Sequence, residues 1–175
     1  MIPKVLKINR WIAVLGGVFL ILITACGGAT ITPDTPPVIL YGEDVCAQCN
    51  MIISDERFAA GLVIEQAPGV FEQRIFDDIG DLLMYEKAHA GELTIAAYYV
   101  HDYTSKEWID GQNAYYIHSK ELLTPMGSGL AAVAQQLEAE ALAQAWNGTV
   151  FTFAELHAEF VTAGATAAHI HHSGK

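Results

Sequence analysis

The N-terminal segment constrains this 175-residue chain most, because it separates a part that is removed from a part that folds. Lys4, Lys7 and Arg10 precede a nearly uncharged apolar run over residues 11–24. That run is shorter than the roughly 20 residues that a membrane-spanning helix needs. A basic start, a short apolar stretch and small residues before a cut site are typical of a secretion signal. We therefore predict that residues 1–25 form a signal peptide.

The predicted signal ends at a cysteine. Ile23-Thr24-Ala25 leads directly into Cys26, a pattern that resembles a bacterial lipobox. A lipobox implies cleavage before Cys26 and a diacylglycerol group on its thiol. An uncleaved N-terminal anchor helix is the alternative. Both interpretations predict an exported, membrane-anchored protein that faces the periplasm or another extracytoplasmic space.

Cleavage also changes the charge of the protein. Removing residues 1–25 takes away three of the nine basic residues and none of the 20 acidic ones, so the formal net charge falls from −11 to −14. An acidic protein is not attracted electrostatically to an anionic membrane surface, so its attachment has to come from the lipid on Cys26. The same charge argues against nucleic acid as a partner, because phosphates call for basic patches.

The remaining chain divides by composition and pattern. Residues 26–37 are rich in Gly, Thr and Pro and read as a lipidated tether. We predict a first half over residues 38–92 and a second half over residues 93–162. Residues 163–175 read as a flexible tail, which contains His169, His171 and His172.

Two segments indicate that the halves are related. Residues 75–82 and 150–156 each read as a strand that ends in Phe and runs into a capped helix with an inward Leu. We predict an α+β fold in which two similar small ββαβ halves form one compact unit, preceded by the lipoprotein signal and the flexible tether.

Local patterns predict the individual elements. A helix capped by Asp77 or Asp78 is expected to run to near Gly91, and apolar spacing through Leu130, Val133 and Leu137 predicts the clearest helix over residues 128–145. Two Tyr-rich runs around Gly111 predict a hairpin. The predicted strands are residues 38–41, 51–54, 58–66, 74–76, 93–103, 113–119 and 149–153.

The strongest chemical feature is Cys46-Ala-Gln-Cys49-Asn-Met51. Thiolate and thioether ligands together select Cu(I), whereas a structural zinc site normally has four Cys or His ligands. No second cysteine pair is present. If this segment is extended, residues two apart face the same side, so Cys49 and Met51 can aim their sulfur atoms together.

Three other interpretations of this motif stay open. The two cysteines can form a redox dithiol, although redox motifs of that kind normally lie between a strand and a long helix. They can also form a structural disulfide, which would close only a very small loop. Met51 can be simple core packing.

Other candidate ligands lie outside the motif. Met126 lies in the Pro/Gly-rich segment over residues 124–129, where a methionine is hard to explain as core packing. Met84 lies within the first predicted helix, so we predict that it packs in the core. His101 is a weak candidate for a nitrogen ligand, and the tail histidines can bind divalent metal loosely. No convincing nucleophile and base occur together, so we do not interpret the chain as an enzyme.

In these features the chain resembles the NosL family of copper-binding lipoproteins, which are associated with nitrous oxide reductase maturation in denitrification. Five ordered motifs and the lipobox carry this resemblance over nearly the whole mature chain. The motifs are residues 43–60, 76–80, 99–103, 108–110 and 124–130.

The resemblance implies a copper chaperone with two ββαβ halves that binds one Cu(I) ion. The family's Cys-x-Met pair falls on Cys49 and Met51 and its loop methionine on Met126, with Cys46 nearby and His101 as a weak further candidate. Asn50 stands where the family usually has Gly, and Asn tolerates a left-handed backbone better than most residues. The implied partner is apo nitrous oxide reductase or another copper-accepting protein. A thiol-disulfide redox lipoprotein is the alternative function.

Overall fold

Two antiparallel sheets and three α-helices form the described part of a computed structural model, residues 30–162. The predicted signal peptide, the lipidation site Cys26 and the His-containing tail lie outside these residues. Within the described range, no helix is both long and apolar enough to cross a bilayer. The strands are β1 (Ala60–Ala67), β2 (Val70–Phe76), β3 (Ile95–His101), β4 (Trp108–Asp110), β5 (Tyr115–His118), β6 (Leu130–Val133) and β7 (Thr149–Thr152).

The first sheet has the strand order β2-β1-β3-β4. Strand β1 lies inside this sheet, where Ala60 pairs with Phe76 of β2 and with Val100 of β3. Its first five residues are buried, as expected for an apolar strand that is covered on both faces.

The second sheet has the order β6-β5-β7. Strand β6 is buried along its whole length: Leu130 and Ala132 face the main core, and Val133 faces a smaller cluster. In both sheets a hairpin is followed by a helix and then by a strand that pairs with the first strand of that hairpin. The predicted α+β class is confirmed.

Helix α1 (Ile79–Ala88) begins where the sequence predicts it. Asp78 is its N-cap, because its carboxylate accepts the backbone N–H of Gly80 at 2.7 Å. Ile79, Leu82 and Leu83 are buried against the main core. The two other helices are α2 (Gln136–Ala145) and α3 (Phe153–His157), and α3 starts with the predicted capping box of Thr152 and Glu155.

The predicted helix over residues 128–145 is wrong in its first half. Gly127 and Gly129 have φ values of 74° and 68°, which a right-handed helix cannot contain, and β6 follows them directly. The helix starts at Gln136 and buries Ala139 and Ala143, whereas Leu137 is exposed.

Three strand predictions are also wrong. The Tyr-rich runs do not form a hairpin with each other, because β3 pairs with β1 and β4 whereas β5 pairs with β6 and β7. Residues 38–41 form no strand, and Val38 and Leu40 are exposed. Residues 51–54 contribute one isolated bridge, between Ile52 and Val45.

Candidate metal centre

The two cysteines of the motif lie in a closed turn, which we call the cysteine loop (residues 45–52). The Cys46 N–H donates to the Met51 carbonyl at 2.8 Å, and the Asn50 N–H donates to the Cys46 carbonyl at 3.0 Å. Asn50 has a φ of 59°, the left-handed conformation that Asn tolerates. The backbone between Cys49 and Met51 is therefore not extended, and the prediction that an extended segment aligns their sulfur atoms is wrong.

Helix α1 places a carboxylate beside these thiols. The Cys46 Sγ–H donates to Oδ2 of Asp81 at 3.1 Å, and both residues are buried. Cys46 and Cys49 are free thiols. The ligand atoms of Cys46, Cys49 and Asp81 all lie within 4.8 Å of one another, so together they could hold one metal ion.

The surroundings of the thiols keep Cys49 protonated. Burial, together with a hydrogen bond to the Asp81 carboxylate, raises the pKa of Cys49 to about 12. Burial also raises the pKa of Asp77, and the carboxylates of Asp78 and Asp81 act in the same direction. A metal ion that binds the Cys49 thiolate therefore has to displace the proton of Cys49. The positive charge of the metal would also offset the negative charge of these neighbouring carboxylates.

A second segment, the methionine loop (residues 124–129), is fixed to the first turn of the same helix. The Asp78 Oδ2 atom accepts Thr124 Oγ1 at 2.6 Å and the Met126 N–H at 3.2 Å, and Oδ1 accepts Ser128 Oγ. A Cβ atom on Gly80 would lie 2.5 Å from Ser128 Cβ, so this close approach requires glycine. Asp78 thus joins the methionine loop to the turn of α1 that also carries Asp81.

The three methionines of the folded part have exposed side chains. Met51 in the cysteine loop is 55% exposed and Met126 is 38% exposed. Met84 lies on the outer face of α1 and is 58% exposed, so the prediction that it packs in the core is wrong.

His101 lies in a different environment from the cysteine loop. Its Nδ1–H donates to the Lys106 carbonyl at 2.7 Å, and its Nε2 accepts the Tyr41 hydroxyl at 2.9 Å. Its ring packs on Trp108 with centroids 3.8 Å apart, and burial lowers its pKa. Both ring nitrogens are engaged, so a role as a ligand would require these hydrogen bonds to break.

Sequence reasoning did not find Asp81. An acidic residue in the first turn of a helix is ordinarily explained by the helix dipole. One feature of the sequence could have indicated Asp81. It lies between the inward-facing residues Ile79 and Leu82, where a charged side chain needs a partner.

The fold and the site together define an α+β protein with a thiol-rich candidate metal site beside a capped helix. Within this class, the chain belongs to the NosL family, whose model matches residues 37–161. The family resemblance seen in the motifs is thereby confirmed.

A relative supports this assignment, and a solved structure supports the fold. The chain is 30% identical over 156 residues to "Copper-binding lipoprotein NosL" of Stutzerimonas stutzeri, a match that covers 84% of this chain and 80% of the relative. The structure is similar to that of the copper chaperone NosL from Shewanella denitrificans, with a TM-score of 0.59 and 18% identity over 71% of this chain and 96% of that chain. This second likeness supports the fold.

Proposed function

We propose that this protein is a membrane-tethered, extracytoplasmic chaperone that carries one Cu(I) ion. The observation that carries the proposal is the cluster of Cys46, Cys49 and Asp81 within 4.8 Å, at the base of a loop that also holds an exposed methionine. Sulfur ligands favour Cu(I) over harder cations. The names of the two NosL relatives, one copper-binding and one a copper chaperone, agree with this cargo.

The proposed ligands are the Cys49 thiolate and the thioethers of Met51 and Met126, with Cys46 as the adjacent thiol. Met126 belongs to this set because its backbone N–H is fixed to Asp78, one helical turn before Asp81. The hydrogen bond from buried Cys46 to Asp81 fixes the orientation of the loop from which Cys49 projects. We do not include His101, because both of its nitrogens already have protein partners.

The chemistry of the ligands suits release as well as binding. Cu(I) would displace the proton of Cys49, whose pKa is raised to about 12, so the thiolate forms with the metal and not before it. Met51 and Met126 are partly exposed, so a partner's ligands can replace the thioethers one at a time. Nothing in this cycle requires catalysis, and we propose a carrier, not an enzyme.

The proposal also covers the membrane anchor of the protein and the recipient of the copper. We propose that lipid on Cys26 holds the protein at a membrane, in line with the relative that is named a lipoprotein. We propose that the recipient is apo nitrous oxide reductase or another copper-accepting protein. We also propose that the two sheets are related ββαβ halves, because they share one order of elements.

An anaerobic titration with Cu(I) against a competing chelator tests this function. We expect one tightly bound Cu(I) per reduced protein, with weaker binding in Met51→Ala and in Met126→Ala. The rival function, thiol-disulfide exchange by Cys46 and Cys49, makes the opposite prediction. If both Met variants bind Cu(I) as the parent does while Cys46→Ser abolishes disulfide exchange, the chaperone proposal is wrong.

A further inference from the structure

The far end of helix α1 carries a second group of polar side chains, remote in sequence from the cysteine loop. Glu86 lies on the last turn of α1, and His89 is the C-cap residue that follows the helix. His157 ends helix α3, and its Nε2 donates to Glu86 Oε1 at 2.8 Å. These three residues line a cavity of about 240 Å³, whose other walls are mostly apolar.

One oxygen of Glu86 has no protein partner. The Oε1 atom accepts from both the Tyr98 hydroxyl, at 2.8 Å, and His157, whereas the buried Oε2 atom accepts from no group in the described part of the chain. A buried carboxylate oxygen without a donor is costly, and native proteins usually satisfy such an atom with a water or an ion.

We propose that Glu86, His89 and His157 form a second metal site, for a divalent cation with the preferences of Zn²⁺. Two imidazoles and a carboxylate are an established zinc ligand set, with a fourth position left for water. This nitrogen and oxygen set contrasts with the sulfur set of the cysteine loop, so the two sites select different metals. The proposal is independent of the proposed copper carriage.

The geometry needs only local adjustment. In a tetrahedral site, neighbouring ligand atoms lie about 3.3 Å apart, so the 2.8 Å pair of His157 Nε2 and Glu86 Oε1 has to open by about half an ångström. The proton that His157 Nε2 donates to Glu86 has to move to Nδ1 or leave to solvent, because a metal-bound imidazole nitrogen carries no proton. The His89 Nδ1–H donates to the Tyr85 carbonyl at 2.8 Å, a hydrogen bond that breaks when the ring turns towards a metal. The His89 ring has to turn towards Glu86, because the only group of three such ligand atoms within 4.8 Å among the described residues is that of Cys46, Cys49 and Asp81.

The metal would tie α1 to the C-terminal segment. Lys87 Nζ already donates to the Phe160 carbonyl at 3.1 Å, and Val161 and Thr162 border the cavity. Binding to the folded state alone stabilises that state by mass action, so Zn²⁺ is expected to raise the unfolding temperature.

The test uses the chain in a background that lacks the other metal-binding groups. This background carries Cys46→Ser, Cys49→Ser and alanine at His169, His171 and His172, and it is titrated with Zn²⁺ by calorimetry. We expect one Zn²⁺ to bind with a Kd of about 1 μM or below. Adding Glu86→Gln or His157→Ala is expected to weaken binding at least about tenfold. His118→Ala is the matched control, because His118 packs on Phe160 as His157 packs on Phe153 but lies outside the cavity.

The site is overturned if the background protein binds no Zn²⁺ or if Glu86→Gln leaves the binding unchanged. Glu86→Gln keeps an acceptor for the Tyr98 hydroxyl, so this variant should fold even if His157→Ala does not. Zinc-edge X-ray absorption of the background protein gives a second readout that needs no further variant. Imidazole and carboxylate scattering supports the proposal, and a shell of water oxygens alone contradicts it.

Discussion

The two ends of helix α1 support regions of opposite chemistry. At its N-terminal end, Asp78 and Asp81 hold the methionine loop and the cysteine loop, which carry the sulfur atoms. At its C-terminal end, Glu86 meets His157 and offers only oxygen and nitrogen. One short helix thus presents carboxylates at both ends, beside thiols at its first turn and beside an imidazole at its last turn.

The largest expected effect comes from removing the thiolate at the first end. Cys49→Ser should lower Cu(I) affinity at least about a hundredfold, or about 2.7 kcal/mol, because a hydroxyl does not replace the thiolate. Competition with a Cu(I) chelator under anaerobic conditions measures this loss. His157→Ala, at the other end of the helix, should leave Cu(I) affinity unchanged; an equal loss in both variants would mean that the two regions are not separate.

Next in size is the loss of the carboxylate that joins α1 to the methionine loop. Asp78→Ala removes a helix cap and leaves the N–H of Met126 and Gly80 without their acceptor, so it should lower the free energy of unfolding by about 2 kcal/mol. Urea unfolding monitors this change, and Cu(I) affinity should fall as well because the loop is released.

The N-cap of helix α3 provides the matched control for Asp78. Thr152→Ala removes a capping box on a half-exposed helix and should cost about 1 kcal/mol. It should leave Cu(I) affinity intact. If Cu(I) affinity falls in proportion to the lost stability in both Asp78→Ala and Thr152→Ala, Asp78 has no specific role in copper binding.

A smaller effect separates the methionines. Met126→Ala and Met51→Ala should each weaken Cu(I) binding about tenfold, or about 1.4 kcal/mol, through the loss of one thioether ligand. Met84→Ala should have no effect, because Met84 is as exposed as Met51 but lies on the outer face of α1. Equal Cu(I) affinities in all three variants would show that neither Met51 nor Met126 binds the metal.

The smallest expected effect concerns acid stability. Burial lowers the pKa of His101 below its usual 6.5, so below that pH the unfolded chain binds a proton that the folded protein excludes. Stability should therefore fall as the pH drops below 6.5, with a slope from this group of at most about 1.4 kcal/mol per pH unit. The slope between pH 5 and pH 7 should be shallower in His101→Gln than in His118→Gln, and identical slopes would exclude this contribution.

Local signals in the sequence were sufficient for several features. Asp78 and the Thr152–Glu155 pair are correct helix starts because capping depends on neighbouring residues alone. The left-handed conformation of Asn50 was indicated by the family resemblance instead, because the family usually has Gly at that position. The cysteine loop was recognisable because its sulfur residues lie within six positions of one another.

Features that depend on distant parts of the chain were not accessible. Leu130 and Val133 are spaced as on a helix, but pairing with β5 makes them a strand. The two Tyr-rich strands look like partners, yet each pairs within a different sheet. Asp81 joins the thiols only because α1 packs against the cysteine loop, and no local pattern reports that contact.

X-ray absorption at the copper edge of the anaerobic one-to-one Cu(I) complex identifies the atoms that bind the metal. We expect a first shell of sulfur atoms alone, with one fewer sulfur in Met126→Ala. A shell dominated by nitrogen or oxygen, or an identical sulfur count after removal of both Met51 and Met126, would contradict this expectation.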